Sequence, residues 1–355
     1  MTVDTKELIY ILDNTPSEQN IMLVGKHGIG KSRILEDYYS SKGQKVVTLF
    51  LGQMSDPGDL IGLPKIDEKT GKTDFMLPYW FPVDNKPVVL FLDELNRARP
   101  EVLQTIMDLT LNRKLAGKSL PEGSRIISAV NNGTEYQLTD LDPALVSRFN
   151  IYEFVPSVED WLTWAEKEGL DQRIISFISE NPEYLDEAES SGSEGDLEKT
   201  PDRRAWERVS KIIKNFTELT EKEKPIVGGI TGARTASIFF RFVNENKIPS
   251  AKKILCGNFE DVSGELKKLS AAEFTLLNKS LFRFTESLGK DDTDSELIME
   301  NLKKYFDFLG AAGLKELQSH FVSLCSAEVY PVTLNLITTK APSLYDEIMN
   351  MVLDV

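Results

Sequence analysis

Residues 25–32 read Gly-Lys-His-Gly-Ile-Gly-Lys-Ser, which packs three glycines, two lysines and a hydroxyl into eight positions ahead of a helix-forming run. Glycines at 25, 28 and 30 let backbone N–H groups close around an anion, and the helix expected from Lys31 presents its positive end to the same point. The run fits the phosphate-binding pattern G-x-x-x-x-G-K-[ST]. The expected contact set is Gly25, Lys26, His27, Gly28, Ile29, Gly30, Lys31, Ser32 and Arg33. Within it Lys31 would reach the β- and γ-phosphates, and the Ser32 hydroxyl would ligate a magnesium ion. Nothing in this chemistry requires the imidazole of His27. A second element, Val-Val-Leu-Phe-Leu-Asp-Glu at 88–94, is an apolar strand that ends in two adjacent carboxylates. Asp93 would hold the metal through its water shell, and Glu94 would polarise an attacking water. Together the two segments predict binding of ATP with Mg2+, followed by hydrolysis.

These groups must be carried by elements that the rest of the pattern supplies. A short helix (KELIYILD) should end near Asn14-Thr15-Pro16, because proline cannot continue it. Buried strands are expected at 21–24, 46–51, 88–93, 125–130 and 151–155. The unbroken apolar run of the second suits a strand covered on both faces. Helices from about Lys31 to Ser41 and from Arg99 onward separate them. Residues 52–87 are punctuated by glycine and proline around a possible hairpin, GLPKIDEKTGKTDFMLPYWF, and a second hairpin is expected in LNRKLAGKSLPEGS. Alternating strands and helices over the first 157 residues predict an α/β fold, a parallel sheet of the P-loop type with helices on both faces. After Pro156 only helical periodicity remains, which divides the rest into an all-helical lid at 158–245 and a C-terminal helical region at 246–355. An acidic run at 186–200 reads as a solvated loop.

Composition narrows the function. The 355 residues exceed one compact core. The 41 Lys and Arg face 56 Asp and Glu, a net charge of −15, which opposes non-specific attraction to nucleic acid or anionic lipid. Two cysteines and two histidines offer no disulfide framework, zinc site or catalytic triad. No stretch is long and apolar enough to predict a membrane span, and a cytoplasmic location is expected.

The chain resembles the AAA+ ATPases of the MoxR and dynein-related, helix-2-insert branch. DELNRARPEVLQ is similar to that branch's continuation after the paired carboxylates, and SDPGDLIGLP at 55–64 with LPYWFP at 77–82 is similar to the segment ahead of them. VNNGTEYQLTDLDPALVSRFN at 130–150 resembles its sensor 1 and arginine-finger motifs. The resemblance implies that Asn131, or failing it Asn132, orients the water near the γ-phosphate. It implies that Arg148 serves the nucleotide of a neighbouring subunit, and that Arg204 in TPDRRAWERVS, with Arg203 competing, is the sensor 2 arginine. It further implies a homo-hexameric ring that remodels a protein substrate or a von Willebrand A-domain partner. Two other readings stay open: a nucleic-acid motor, with Lys65, Lys69, Lys72, Arg113, Lys114 and Lys118 on the two insertions, and a nucleotide-gated scaffold with little turnover.

Overall fold

A computed structural model describes residues 1–131, 141–186, 199–246, 248–288, 295–326 and 329–353. The chain divides into two compact units, Met1–Ser157 and the residues from Val158 onward.

In the first unit the elements run β1 (Thr2–Val3), α1 (Thr5–Asn14), β2 (Asn20–Gly25), α2 (Lys31–Ser41), β3 (Lys45–Phe50), α3 (Gly58–Ile61), β4 (Leu63–Ile66), β5 (Thr73–Met76) and β6 (Val88–Asp93). They continue with α4 (Pro100–Asn112), β7 (Lys114–Leu115), β8 (Lys118–Ser119), β9 (Arg125–Asn131), α5 (Pro143–Val146) and β10 (Phe149–Phe154). Six strands form one parallel sheet in the order β1-β10-β2-β9-β6-β3. Side chains alternate across a strand, so each apolar run is shared between two cores. Met22, Leu90, Leu92 and Ile126 pack with Val102, Ile106 and Leu109 of α4 on one face. Ile21, Leu23, Val89, Phe91, Ile127 and Ala129 pack with Leu8 and Leu12 of α1 and Leu35 and Tyr39 of α2 on the other.

Two expectations need correction. β3 is the sheet's edge strand and more thinly covered than its apolar run implies: Val47 and Leu49 are buried on one face, Val46 packs half-buried against the core on the other, and Lys45 and Phe50 are exposed. The N-terminal residues also supply a sixth strand, Thr2–Val3, too short to show any periodicity and held by pairing with Glu153 and Phe154. Both expected hairpins are present, β4 with β5 and β7 with β8. The second turns through Ala116 and Gly117, which both have positive φ (45° and 78°), the requirement of a two-residue primed turn.

The second unit is helical throughout its described residues: α6 (Val158–Lys167), α7 (Gln172–Glu180), α8 (Arg203–Ile213), α9 (Lys224–Thr231), α10 (Ala233–Glu245), α11 (Ala251–Leu255), α12 (Phe259–Leu266), α13 (Ala271–Glu286), α14 (Ser295–Ala311), α15 (Lys315–Ser326), α16 (Pro331–Lys340) and α17 (Pro342–Leu353). Two apolar cores follow one another along it. The first centres on Phe177, whose ring meets those of Tyr184, Trp206, Phe239 and Phe242 at 5.3–5.6 Å, and includes Trp161. The second runs from Ala251 to Ile348 and buries Cys325, whose thiol burial pushes up to about 12. Most of the acidic run at 186–200 lies outside the described residues. Among the described residues no single helix is long and apolar enough to cross a membrane.

Candidate nucleotide-binding site

The parallel sheet brings three strand ends side by side. Gly25, the last residue of β2, lies in register with Asn131, the last of β9, and β6 on the far side of β9 ends at Asp93. Ligands of open α/β sheets bind beyond such carboxyl ends, where loops can be shaped without disturbing the core. Gly25 has no room for a side chain: a Cβ there would come within 2.7 Å of the Phe154 carbonyl oxygen and 2.8 Å of Ile29 Cδ1. Gly30 caps α2 with φ 100° and no side-chain bond, so no side chain at that position takes up the first-turn amides of the helix.

Lys31 is buried, and its Nζ donates to the carbonyl oxygens of Gly25 and Lys26 and to Oδ1 of Asn131, all at 2.9 Å. Three oxygen acceptors satisfy the three N–H bonds of an ammonium withdrawn from water. The Ser32 hydroxyl donates to Asp93 Oδ2 over 3.4 Å. Burial holds the Asp93 carboxyl above its usual range, against the opposing pull of the Glu94 amide and the Lys31 charge. A carboxylate so desolvated, beside a hydroxyl, is the donor set a hard divalent cation takes. Among the described residues no three His, Cys, Asp or Glu side chains gather to hold a metal, so a cation here would need phosphate or water oxygens as well.

Glu94 occupies the left-handed region (φ 56°, ψ 44°), an uncommon conformation for a residue with a side chain, and its carboxylate accepts from Arg97 Nη1 at 2.6 Å. Two residues on, Asn96 is buried, donates to the Asn131 backbone oxygen at 2.9 Å, and leaves its own Oδ1 without a partner. Neither Asn96 nor Arg97 was expected at the site. Their only signal was polarity directly after the paired carboxylates, and their placement depends on the turn at Glu94. In the rest of the loop Lys26 and His27 are exposed, Ile29 packs against the core shared by α1 and α2, and Arg33 pairs with Asp37 one turn along α2.

Within the first unit, Arg148 is not gathered here. Arg148 precedes Phe149, which lies in register with Asn20 at the start of β2, whereas the loop leaves β2 at Gly25. Five residues of strand put roughly 17 Å of sheet between those two levels. The Arg148 guanidinium donates to the Ala144 carbonyl, and its Nε is buried without an acceptor. In the second unit Arg203 is buried and ion-paired with Asp186 at 2.8 Å, while Arg204 is exposed on α8. Asn132 lies outside the described residues.

A model of the AAA domain, dynein-related subfamily, matches residues 20–149, from the first residue of β2 to the first of β10. Residues 20–149 thus carry an AAA domain. A curated Thauera aromatica protein named "Putative chaperone BssE" is 27% identical over 149 residues, which span 39% of this chain and 51% of that protein. Among solved structures, NtrX from Brucella abortus in complex with ADP is 14% identical with a TM-score of 0.39, covering 89% of this chain and 67% of its own. The Thermotoga maritima RuvB Holliday junction branch migration motor is 15% identical with a TM-score of 0.36, covering 78% and 80%. Likeness at that level carries no argument about what this AAA+ chain acts on.

Proposed function

We propose that this chain is a MoxR-like AAA+ ATPase that hydrolyses ATP in a cytoplasmic ring, hexameric by family resemblance, and uses the cycle to remodel or mature a protein partner. The observation that carries the reading is the adjacency of Lys31 with Asn131 and of Ser32 with Asp93 at three neighbouring strand ends. Amide donors from Gly25 to Ser32 cradle the phosphates, Lys31 neutralises them, and Ser32 and Asp93 offer oxygens to Mg2+. The ion, when bound, offsets phosphate charge and orients the triphosphate. Glu94 is the general base, Asn131 positions the water, and Arg148, at the opposite end of the sheet, serves the nucleotide of an adjoining copy. Arg204 is the sensor 2 candidate, because Arg203 is committed to Asp186. The chaperone name of the Thauera relative favours a protein substrate, a von Willebrand A-domain protein among the candidates.

The nucleic-acid reading is weaker. Arg113 is not on a surface loop but turned into the fold, and Lys118 is paired with Asp74. The test is turnover and mass of the purified protein with Mg-ATP. Lys31→Ala should abolish nucleotide binding, whereas Arg148→Ala should keep binding and lose about 10³-fold or more of turnover. A strictly monomeric protein whose turnover survives Arg148→Ala would refute the shared site.

A further inference from the structure

The two hairpins of the first unit do not stand apart. Asp74 of β5 pairs with Lys118 of β8 at 3.5 Å, and a cleft of about 600 Å³ is lined by residues of both hairpins and of α4. Its apolar lining is Ile61 of the short helix before the first insertion and Phe75 of the first hairpin, both half-buried, beside Leu115 of the second hairpin, which is itself buried. Its wall is the outer face of α4, where Glu101, Gln104 and Asp108 project from successive turns, the two acids exposed. Seven residues of helix separate the acids by about 10 Å, close to the roughly 9 Å of one polyproline-II turn, in which residues three apart share a face. An apolar lining beside two spaced carboxylates repels a polyphosphate backbone and complements cations flanking an apolar side chain.

We propose that this cleft docks a segment of a partner protein in the polyproline-II conformation, in which two basic residues, three positions apart, bracket apolar ones. Acidic side chains on α4 take the cations, and Ile61 and Phe75 take the apolar group. The proposal gives the remodelling reading its substrate chemistry and rests on that reading for its role, though not for its test.

The probe is a fluorescein-labelled peptide, Gly-Ser-Lys-Leu-Phe-Lys-Ser-Gly, titrated by anisotropy into the full chain, with a second peptide carrying Glu in place of both Lys. The lysine peptide should bind at least tenfold more tightly than the glutamate one. In Glu101→Lys/Asp108→Lys, which alters only exposed side chains, the preference should invert. Equal binding of the two peptides, an unchanged preference in the reversed variant, or displacement by single-stranded oligo-dT from the wild type alone would overturn the assignment. ATP turnover, read on the same samples, separates the two ideas: charge-selective binding without turnover upholds the cleft and removes the motor, and turnover without such binding removes the cleft and leaves the motor.

Discussion

At the scale of single residues the site turns on one charge–dipole contact, the 2.9 Å bond from Lys31 Nζ to Asn131 Oδ1. An amide oxygen can orient an ammonium without neutralising it, whereas a carboxylate there would cancel the charge otherwise offered to phosphate in a poorly solvated site. Asn131→Asp should therefore lower affinity for a fluorescent ATP analogue at least tenfold and cut turnover by about 10²-fold, while leaving the melting temperature of the nucleotide-free protein unchanged or higher. Unaltered affinity in that variant would mean that Lys31 does not meet phosphate. Lys31, Ser32, Asp93 and Glu94 were legible in the sequence because glycines, lysine, hydroxyl and paired acids keep fixed offsets from strand ends. Asn96 and Arg97 were not, since their direction is set by one left-handed residue, Glu94, that no periodicity announces. The remoteness of Arg148 from the loop likewise needs strand register, which a single sequence does not contain.

The elements repeat this pattern of what can and cannot be read. Strand cores at 88–93 and 125–130 were visible as apolar runs, and the hairpin around Ala116-Gly117 as a glycine turn; that β3 lies at an edge depends on which strand pairs with it. Arg113 shows the same limit, since as a basic residue near a hairpin it reads as surface. In the fold its Nη2 donates to the carbonyls of Ser17 and Ser124, both at 2.6 Å, which ties the end of α4 to the starts of β2 and β9. Arg113→Ala leaves those carbonyls unpaired and should cost the first unit about 2–4 kcal/mol. Lysine should restore it only in part, because an ammonium lacks the planar fork by which Arg113 also reaches Asn20 Oδ1 through Nη1. Loss of nucleotide binding at a lower urea concentration in both variants is the readout. In the second unit Glu166 of α6 is buried, accepts from Ser280 of α13 at 2.7 Å and from Gln172 of α7 at 3.4 Å, and burial raises its pKa from the usual 4.5 to about 7. The folded state thus holds this proton more tightly than the unfolded one. The stability it confers is complete below pH ~4.5 and is lost as pH rises through about 7. Glu166→Gln keeps an acceptor for Ser280 and cannot ionise, so the variant should match the wild type in acid and exceed it above pH ~7.5 by on the order of 3 kcal/mol. Identical pH profiles would place the carboxyl in contact with water.

On the scale of the whole molecule the argument concerns how many chains make one site. Gly25 and Phe149 stand at opposite ends of the same sheet, so an arginine entering β10 cannot serve the phosphates held by its own loop. A site that uses both Lys31 and Arg148 must therefore be built from two copies, and the defects of the two residues must be separable. In a ring, Lys31→Ala removes the nucleotide from a subunit but leaves its arginine to offer, and Arg148→Ala does the reverse. Each variant alone contains no complete site. Mixed and reassembled, subunits of the two kinds meet at random. In an equimolar mixture about one junction in four would join an intact loop to an intact arginine, an upper bound of about a quarter of wild-type turnover if sites fire independently. Recovery should rise with mixing time as subunits exchange and should peak near equal proportions. Turnover of the mixture no greater than the sum of its parts, in assemblies shown by native mass measurement to contain both variants, would mean that Arg148 only secures the entry to β10 through its bond to Ala144.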